Sequence, residues 1–141
     1  MKTLHISTYK TLFIAFCTVL ALTGCSDDQP VVPVVAGVQP EVINNIDTFE
    51  FQVSSVENYT GVWRYDWTTT GTIVNVDQSS AISGGTVILR ILDSNRTEVY
   101  SRDLTEGGSF VTEAGATGQW SLEVALVSGS GTLNFRTEKN Q

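Results

Sequence analysis

Side chains able to carry nucleophilic or acid–base chemistry are few in this 141-residue chain and unevenly placed. The one histidine, His5, and both cysteines, Cys17 and Cys25, precede Ser26. Catalytic triads built on serine or cysteine need a histidine base, and histidine-based zinc sites need imidazole ligands. The chain beyond Cys25 supplies no imidazole and no thiol, so we predict a non-catalytic protein without a cofactor or metal.

Carboxylates are the remaining resource for chemistry. A glycosidase needs two of them about 5–10 Å apart across a cleft. The candidates by residue type are Asp66, Asp77, Asp93, Glu98 and Asp103. The segment 93–98 offers oxygens at alternate positions, as calcium prefers, but Arg96 brings a positive charge into it. An Asp/Asn turn explains the same residues, and we interpret these acids as surface or turn residues.

Three aromatic residues at a spacing of two are the candidates for ligand binding. Trp63, Tyr65 and Trp67 alternate with Arg64 and Asp66, so a strand would place the three rings on one face. Exposed rings in a row stack on sugars, which makes them possible ligand-binding residues for a polysaccharide. The inner face of a sandwich also needs large residues, and the charged alternation favours that core position.

The overall composition indicates a folded, acidic chain. The formal net charge is −7 and the pI is about 4.5, which argues against nucleic acid as a partner because its binders need a basic face. With 41% hydrophobic and 16% charged residues, the chain is too apolar to be disordered throughout.

The first segment has the layout of a secretory signal peptide. Lys2 and Lys10 precede an uncharged, mostly apolar run over residues 11–22, and the first ten residues hold no acid. Twelve residues are too few for a membrane-spanning helix, which needs about 20. We therefore expect residues 1–24 to be removed.

The end of that run reads Leu22-Thr23-Gly24-Cys25 and resembles the lipobox of bacterial lipoproteins. The resemblance implies that diacylglycerol is attached to the Cys25 thiol and that the signal peptidase cuts just before this residue. Further acylation of the new amino group, with palmitate as a typical acid, would complete a membrane anchor. Two or three acyl chains hold a protein on a bilayer where one binds only marginally.

The residues after Cys25 give indications of membrane sorting and of the tether that connects the anchor to the domain. In the lipoprotein family an aspartate at the next position often signals retention in the inner membrane. Ser26 stands there, which implies the outer membrane, facing either the periplasm or the cell surface. The pair Asp27-Asp28 resembles acidic surface-export signals and equally fits a solvated linker.

The three prolines, Pro30, Pro33 and Pro40, predict a semi-stiff tether over residues 25–42, although its valines could add an edge strand.

Period-two alternation predicts an all-β domain over residues 43–138. Short apolar runs are separated by turns rich in Gly, Ser, Asn and Asp, with no helical pattern between them. We predict an antiparallel two-sheet β-sandwich of about eight strands, with a closed eight-stranded barrel as the alternative. The expected strands lie near 47–54, 59–68, 72–77, 85–92, 97–102, 108–113, 119–127 and 132–138.

The stretch GQWSLEVALVSGSGTLNFR, residues 118–136, resembles the end of pre-peptidase C-terminal-type domains. These are small bacterial β-sandwiches that finish with a glycine, an aromatic-led strand, a glycine turn and a last alternating strand. The resemblance implies a non-catalytic accessory. The sequence as a whole therefore predicts a lipid-anchored interaction or structural module, whose partner would be an envelope protein or a polysaccharide. A carbohydrate-binding module is the alternative.

Overall fold

The structure, a computed structural model, describes residues 38–141, which form antiparallel strands and no helix. The predicted all-β class is confirmed. The predicted signal peptide 1–24, Cys25 and the tether up to residue 37 lie outside the described residues. Within residues 38–141, no helix is long and apolar enough to cross a membrane.

Seven strands make up the described chain. Their bounds are β1 Glu41–Asn45, β2 Thr48–Thr69, β3 Val74–Gln78, β4 Ala81–Leu92, β5 Glu98–Asp103, β6 Gly108–Val111 and β7 Gly118–Lys139.

Two long strands organise the fold. Strands β2 and β7 have 22 residues each and pair antiparallel from Thr48↔Glu138 to Thr69↔Gly118. On the other side of β7, β3 and then β4 run along its length. The result is a three-stranded ribbon, which folds over on itself so that its two halves face each other as the two layers of a sandwich.

The ribbon bends where its pairing register shifts. We call this bend the corner, and it comprises residues 53–61 of β2, 82–86 of β4 and 126–132 of β7. Ser55, Asn58 and Ser128 have φ of 59°, 44° and 49°, in the left-handed region that extra residues in β-bulges adopt. Gly131 has φ 131°, and a β-carbon there would collide with the carbonyl oxygen of Ala81. The bend therefore needs a glycine at this position.

The two layers have different edge strands. The first layer has the order β1, β2, β7, β3, β6 and uses residues 48–53 of β2 and 133–139 of β7. The second uses residues 61–69 of β2, 118–126 of β7, most of β4 and then β5. Strands β1, β5 and β6 each pair with one described strand, so the described sheet is sandwich-like and not closed into a barrel.

The strand count differs from the prediction in three places. The expected strands at 47–54 and 59–68 are two halves of β2, and those at 119–127 and 132–138 are two halves of β7. Strand β1 was not among the expected strands and begins at Glu41, two residues before the expected domain start at residue 43. Val38, just ahead of it, packs against the core.

Candidate functional site

The three candidate ligand-binding aromatics lie in the core. Trp63, Tyr65 and Trp67 expose 1%, 6% and 1% of their surface. They point from β2 toward the first layer, where Phe51 lies 5.8 Å from Trp63 and 5.7 Å from Tyr65 between ring centroids. The possible ligand-binding role of this row is therefore corrected, because rings enclosed between two sheets cannot offer a flat surface to a sugar.

Several contacts hold this row in place and show why it is buried. The Tyr59 ring stacks on Trp63 at 5.2 Å and 14°, covering it at the corner. Trp67 meets Trp120 edge to face at 6.2 Å, and its indole Nε1 donates to the Asn45 carbonyl at 2.9 Å. Burial raises the pKa of the Tyr65 hydroxyl to about 12. The bond from Trp67 to Asn45 joins the two layers, and all of these contacts serve the fold.

We call the end of the sandwich opposite the corner the open end. At this end, the turn between β1 and β2 carries an acid, Asp47, that binds the neighbouring strand ends together. The Asp47 carboxylate accepts hydrogen bonds from the Thr70 backbone N–H at 2.6 Å, from the Thr70 hydroxyl and from the Thr69 hydroxyl at 3.0 Å. Lys139 Nζ lies 3.4 Å away. Led by the Thr70 N–H, these donors lower the Asp47 pKa from 3.8 to about 2. Asp47 therefore links both ends of β2 to the end of β7.

A second acid makes a similar link at the same end. Asp93 accepts from the backbone N–H groups of Asn95, Thr97 and Ala116, each at 2.9 Å. These bonds, with that from Ala116 first, lower the Asp93 pKa. A carboxylate already bonded to three backbone donors serves the turn, as the interpretation of residues 93–98 expected.

The other candidate acids are dispersed over the surface. Glu98 bonds Arg90 at 2.7 Å, as part of a row on the outer face that runs Arg64, Glu123, Arg90, Glu98. Asp77 accepts from the Ser109 hydroxyl, and Asp103 accepts from the Thr105 N–H. In the part of the chain that the structure describes, no three His, Cys, Asp or Glu side chains cluster as metal ligands.

The best candidate for contact with a partner is a surface formed by β1. Its outward-facing Ile43 is 54% exposed, and Ile46 in the following turn is 68% exposed. Beside them, on the outer face of the first layer, lies a shallow groove of about 260 Å³. We call Ile43, Ile46, the unpaired edge of β1 and this groove the β1 surface. The groove is lined by Glu41, Val42, Ile43, Glu50, Phe51, Gln52, Asn134, Phe135 and Arg136.

The charges of the β1 surface are mostly acidic. Glu41 and Glu50 flank the groove, and the one guanidinium, Arg136, is shared between Glu138 at 2.6 Å and Glu50 at 3.6 Å. Exposed isoleucine beside carboxylates and amides suits contact with another protein chain or with hydroxyl groups. It offers no arrangement of acid, base and nucleophile.

A larger depression of about 430 Å³ lies at the open end, between residues 70–73 and 139–141. It is wide open, and its Lys139 is held by Thr70 and Asp47. The side chains of this depression connect the strand ends at the open end, and we do not interpret it as a ligand site.

The sequence signals pointed away from the β1 surface. Ile43 stood at the first position of the predicted domain, beside the expected tether, where a short run gives little alternation. No family model matches the chain, and no curated protein matches it.

Proposed function

We propose that this protein is a lipid-anchored, non-catalytic module of the bacterial outer envelope. Its anchor is the acylated Cys25, and its folded part acts as an interaction or structural element. The membrane is one partner through the lipid, and the second is an envelope protein or polysaccharide contacted by the surface of the domain.

The observation that carries the proposal is the order of features around Cys25. Two lysines, a 12-residue apolar run and Leu22-Thr23-Gly24 precede this cysteine in the arrangement that lipoprotein processing uses. Ser26 and the prolines then follow. A soluble enzyme needs no lipidation site, and a membrane-spanning helix needs a longer apolar run than 12 residues.

The chemistry of the folded part supports a role by contact. Residues 38–141 contain no histidine and no cysteine. The buried aromatic residues of this part fill the core, and Asp47 and Asp93 accept hydrogen bonds from backbone N–H groups in turns. The β1 surface combines exposed apolar side chains with a polar rim, which is the composition of protein contact sites.

The test is metabolic labelling with an alkyne-bearing palmitate in a bacterium that processes lipoproteins. We expect the wild type and Cys17→Ala to incorporate the label, because Cys17 lies inside the removed segment. Cys25→Ala should incorporate none and should keep its signal peptide. Cys17→Ala is the matched control, since it also removes one thiol upstream of the domain.

Equal labelling of Cys25→Ala and the wild type would overturn the anchor, as would a mature N-terminus other than residue 25 by mass spectrometry. Localisation is tested by membrane fractionation of the labelled protein. Wild type should fractionate with the outer membrane, and Ser26→Asp should shift toward the inner membrane if the sorting resemblance holds.

A further inference from the structure

The described sandwich has four sheet edges, and they differ in how well they are protected from pairing with another chain. Unpaired edges present backbone donors and acceptors, and natural sheets block them with charges, short length or covering groups. The edge formed by residues 61–69 of β2 is covered at one end. There the Asp66 carbonyl accepts from Asn44 and the Thr68 carbonyl accepts from the Asp47 N–H.

The edges on the opposite side are also protected. Strand β5 carries Glu98, Arg102 and Asp103, with Arg102 bonded to Glu106 at 2.8 Å. Strand β6 is four residues long, and the Arg102 guanidinium lies 4.3 Å above the ring of its Phe110. The charges on β5 and the Arg102 side chain over β6 therefore protect these two edges from pairing with another chain.

Strand β1 is also short, at five residues, but it lacks a covering side chain from the described part of the protein and most of the charges found on β5. Its sequence is EVINN, with one charge, Glu41, at its first residue, and its central outward residue is the exposed Ile43. Val42 packs against the core, so that the strand is held flat against β2 and keeps its geometry. Among residues 38–141, this is the edge best prepared to accept another strand.

We propose that β1 pairs antiparallel with β1 of a second copy of this chain, forming a two-fold symmetric dimer with one continuous sheet. The register is centred on Ile43, which is the one register that overlaps all five residues. Ile43 then faces Ile43 of the second copy, and Glu41 faces Asn45 of the second copy at each end. The strand is thus complementary to itself, because apolar meets apolar and no like charges oppose each other.

This inference does not depend on the lipid anchor. It rests on the sequence of β1, its exposure and the protection of the other edges. It identifies one partner of the β1 surface as the protein itself, and the dimer would present two copies of the outer groove on the same face of one sheet.

The register gives a sharp cross-linking test in the full-length protein. In the dimer, the side chains at position 43 lie about 5 Å apart, whereas those at position 46 lie about 20 Å apart, three residues from the two-fold axis on each side. Ile43→Cys should therefore form a disulfide-linked dimer on mild oxidation in membranes. Ile46→Cys, also exposed and in the adjoining turn, is the matched control. The wild type shows the background from any thiol of Cys17 or Cys25 that remains free.

We expect Ile43→Cys to give at least about ten-fold more cross-linked dimer than Ile46→Cys, because disulfides form only between cysteines with Cα atoms less than about 7 Å apart. Equal yields from the two variants, or none above the wild-type background, would overturn the proposal.

A second measurement uses charge. Ile43→Lys places two ammonium groups against each other across the two-fold axis, so the mass of the solubilised protein, measured by sedimentation velocity, should fall by half. Ile46→Lys should keep the dimer. A wild type that sediments as a monomer at all accessible concentrations, or an Ile43→Lys variant that keeps the wild-type mass, counts against the interface.

Discussion

Asp47 shows how a single turn residue can hold a sandwich closed. Its φ of 66° lies in the left-handed region, which Asp and Asn tolerate better than other non-glycine residues. Its N–H donates to the Thr68 carbonyl, and its own carbonyl accepts from the Lys139 N–H. Backbone and carboxylate together thus join three points that are distant in sequence.

This arrangement makes the stability depend on acid. The Asp47 pKa is about 2 in the fold against an ordinary 3.8, so the folded state favours the ionised carboxylate. Its contribution is complete above about pH 4 and is lost as the pH falls toward about 2. Asp47→Asn keeps a residue that tolerates the backbone conformation and removes the charge. We expect Asp47→Asn to have a lower urea midpoint than the wild type at pH 7. Between pH 5 and pH 2 its stability should fall less than that of the wild type.

Asp66→Asn, at an exposed position of β2, is the control and should follow the wild type over the whole pH range. If Asp47→Asn lost stability with acid as steeply as the wild type, the acid dependence would have to come from other carboxylates. The link made by Asp47 was not predicted from the sequence, because an acid beside a predicted strand start gives no sign of partners more than 20 residues away.

At the scale of elements, the bent strands decide the fold. Alternation correctly indicated the inner faces of both halves of β2 and of β7. Phe49 and Trp63 on β2 are buried, and so are Trp120 and Phe135 on β7. The sequence predicts a turn at 128–131 and leaves 55–58 as a gap between two predicted strands, because Ser, Asn and Gly favour turns and bulges alike. Pairing with a neighbouring strand through the interruption is a tertiary property, and this explains why two strands were expected in place of each long one.

The corner provides a direct test of this architecture. Gly131→Ala should destabilise the protein by at least about 2 kcal/mol, because φ of 131° is strained for alanine and its methyl would meet the Ala81 carbonyl. Gly84→Ala, in the same corner, is the matched control. Its methyl would lie 3.8 Å from the Ser130 Cβ, in ordinary contact.

Chemical unfolding of the two variants beside the wild type measures the difference. Gly84→Ala should be close to neutral. Similar midpoints for both alanine variants would contradict the bent geometry at Gly131, since the two substitutions differ there only in backbone conformation and available space.

At the scale of the whole molecule, the direction of β1 sets how an anchored domain would face the bilayer. Glu41 pairs with Gln52 toward the corner, whereas Asn45 pairs with Thr48 at the open end. The chain therefore enters the domain from the corner side. With the anchor proposed above, the corner of a monomeric domain faces the lipid and its open end faces away from it, whereas the two corners of the β1-paired dimer point in opposite directions.

Energy transfer from a dye on the domain to labelled lipid tests this orientation. Ser54→Cys carries the dye at the corner, and Asn95→Cys carries it in the turn between β4 and β5 at the open end; both positions are exposed. We expect the stronger transfer from position 54 in vesicles bearing the acylated protein with the Ile43→Lys substitution, which removes the β1 pair and leaves single domains. Equal transfer from both sites would mean that the tether leaves the domain free to tumble, and stronger transfer from position 95 would reverse the orientation.

Strand β7 is the common partner of β2, β3 and β4, and it follows all three of them in the sequence. Until β7 has emerged from the ribosome, the earlier strands can form only the β1–β2, β4–β5 and β3–β6 pairs. Isolated two-stranded pairs are marginal in water. Such dependence on distant contacts slows folding. The sandwich consequently assembles only after β7 is available, which would keep a chain exported as proposed above unfolded during its passage.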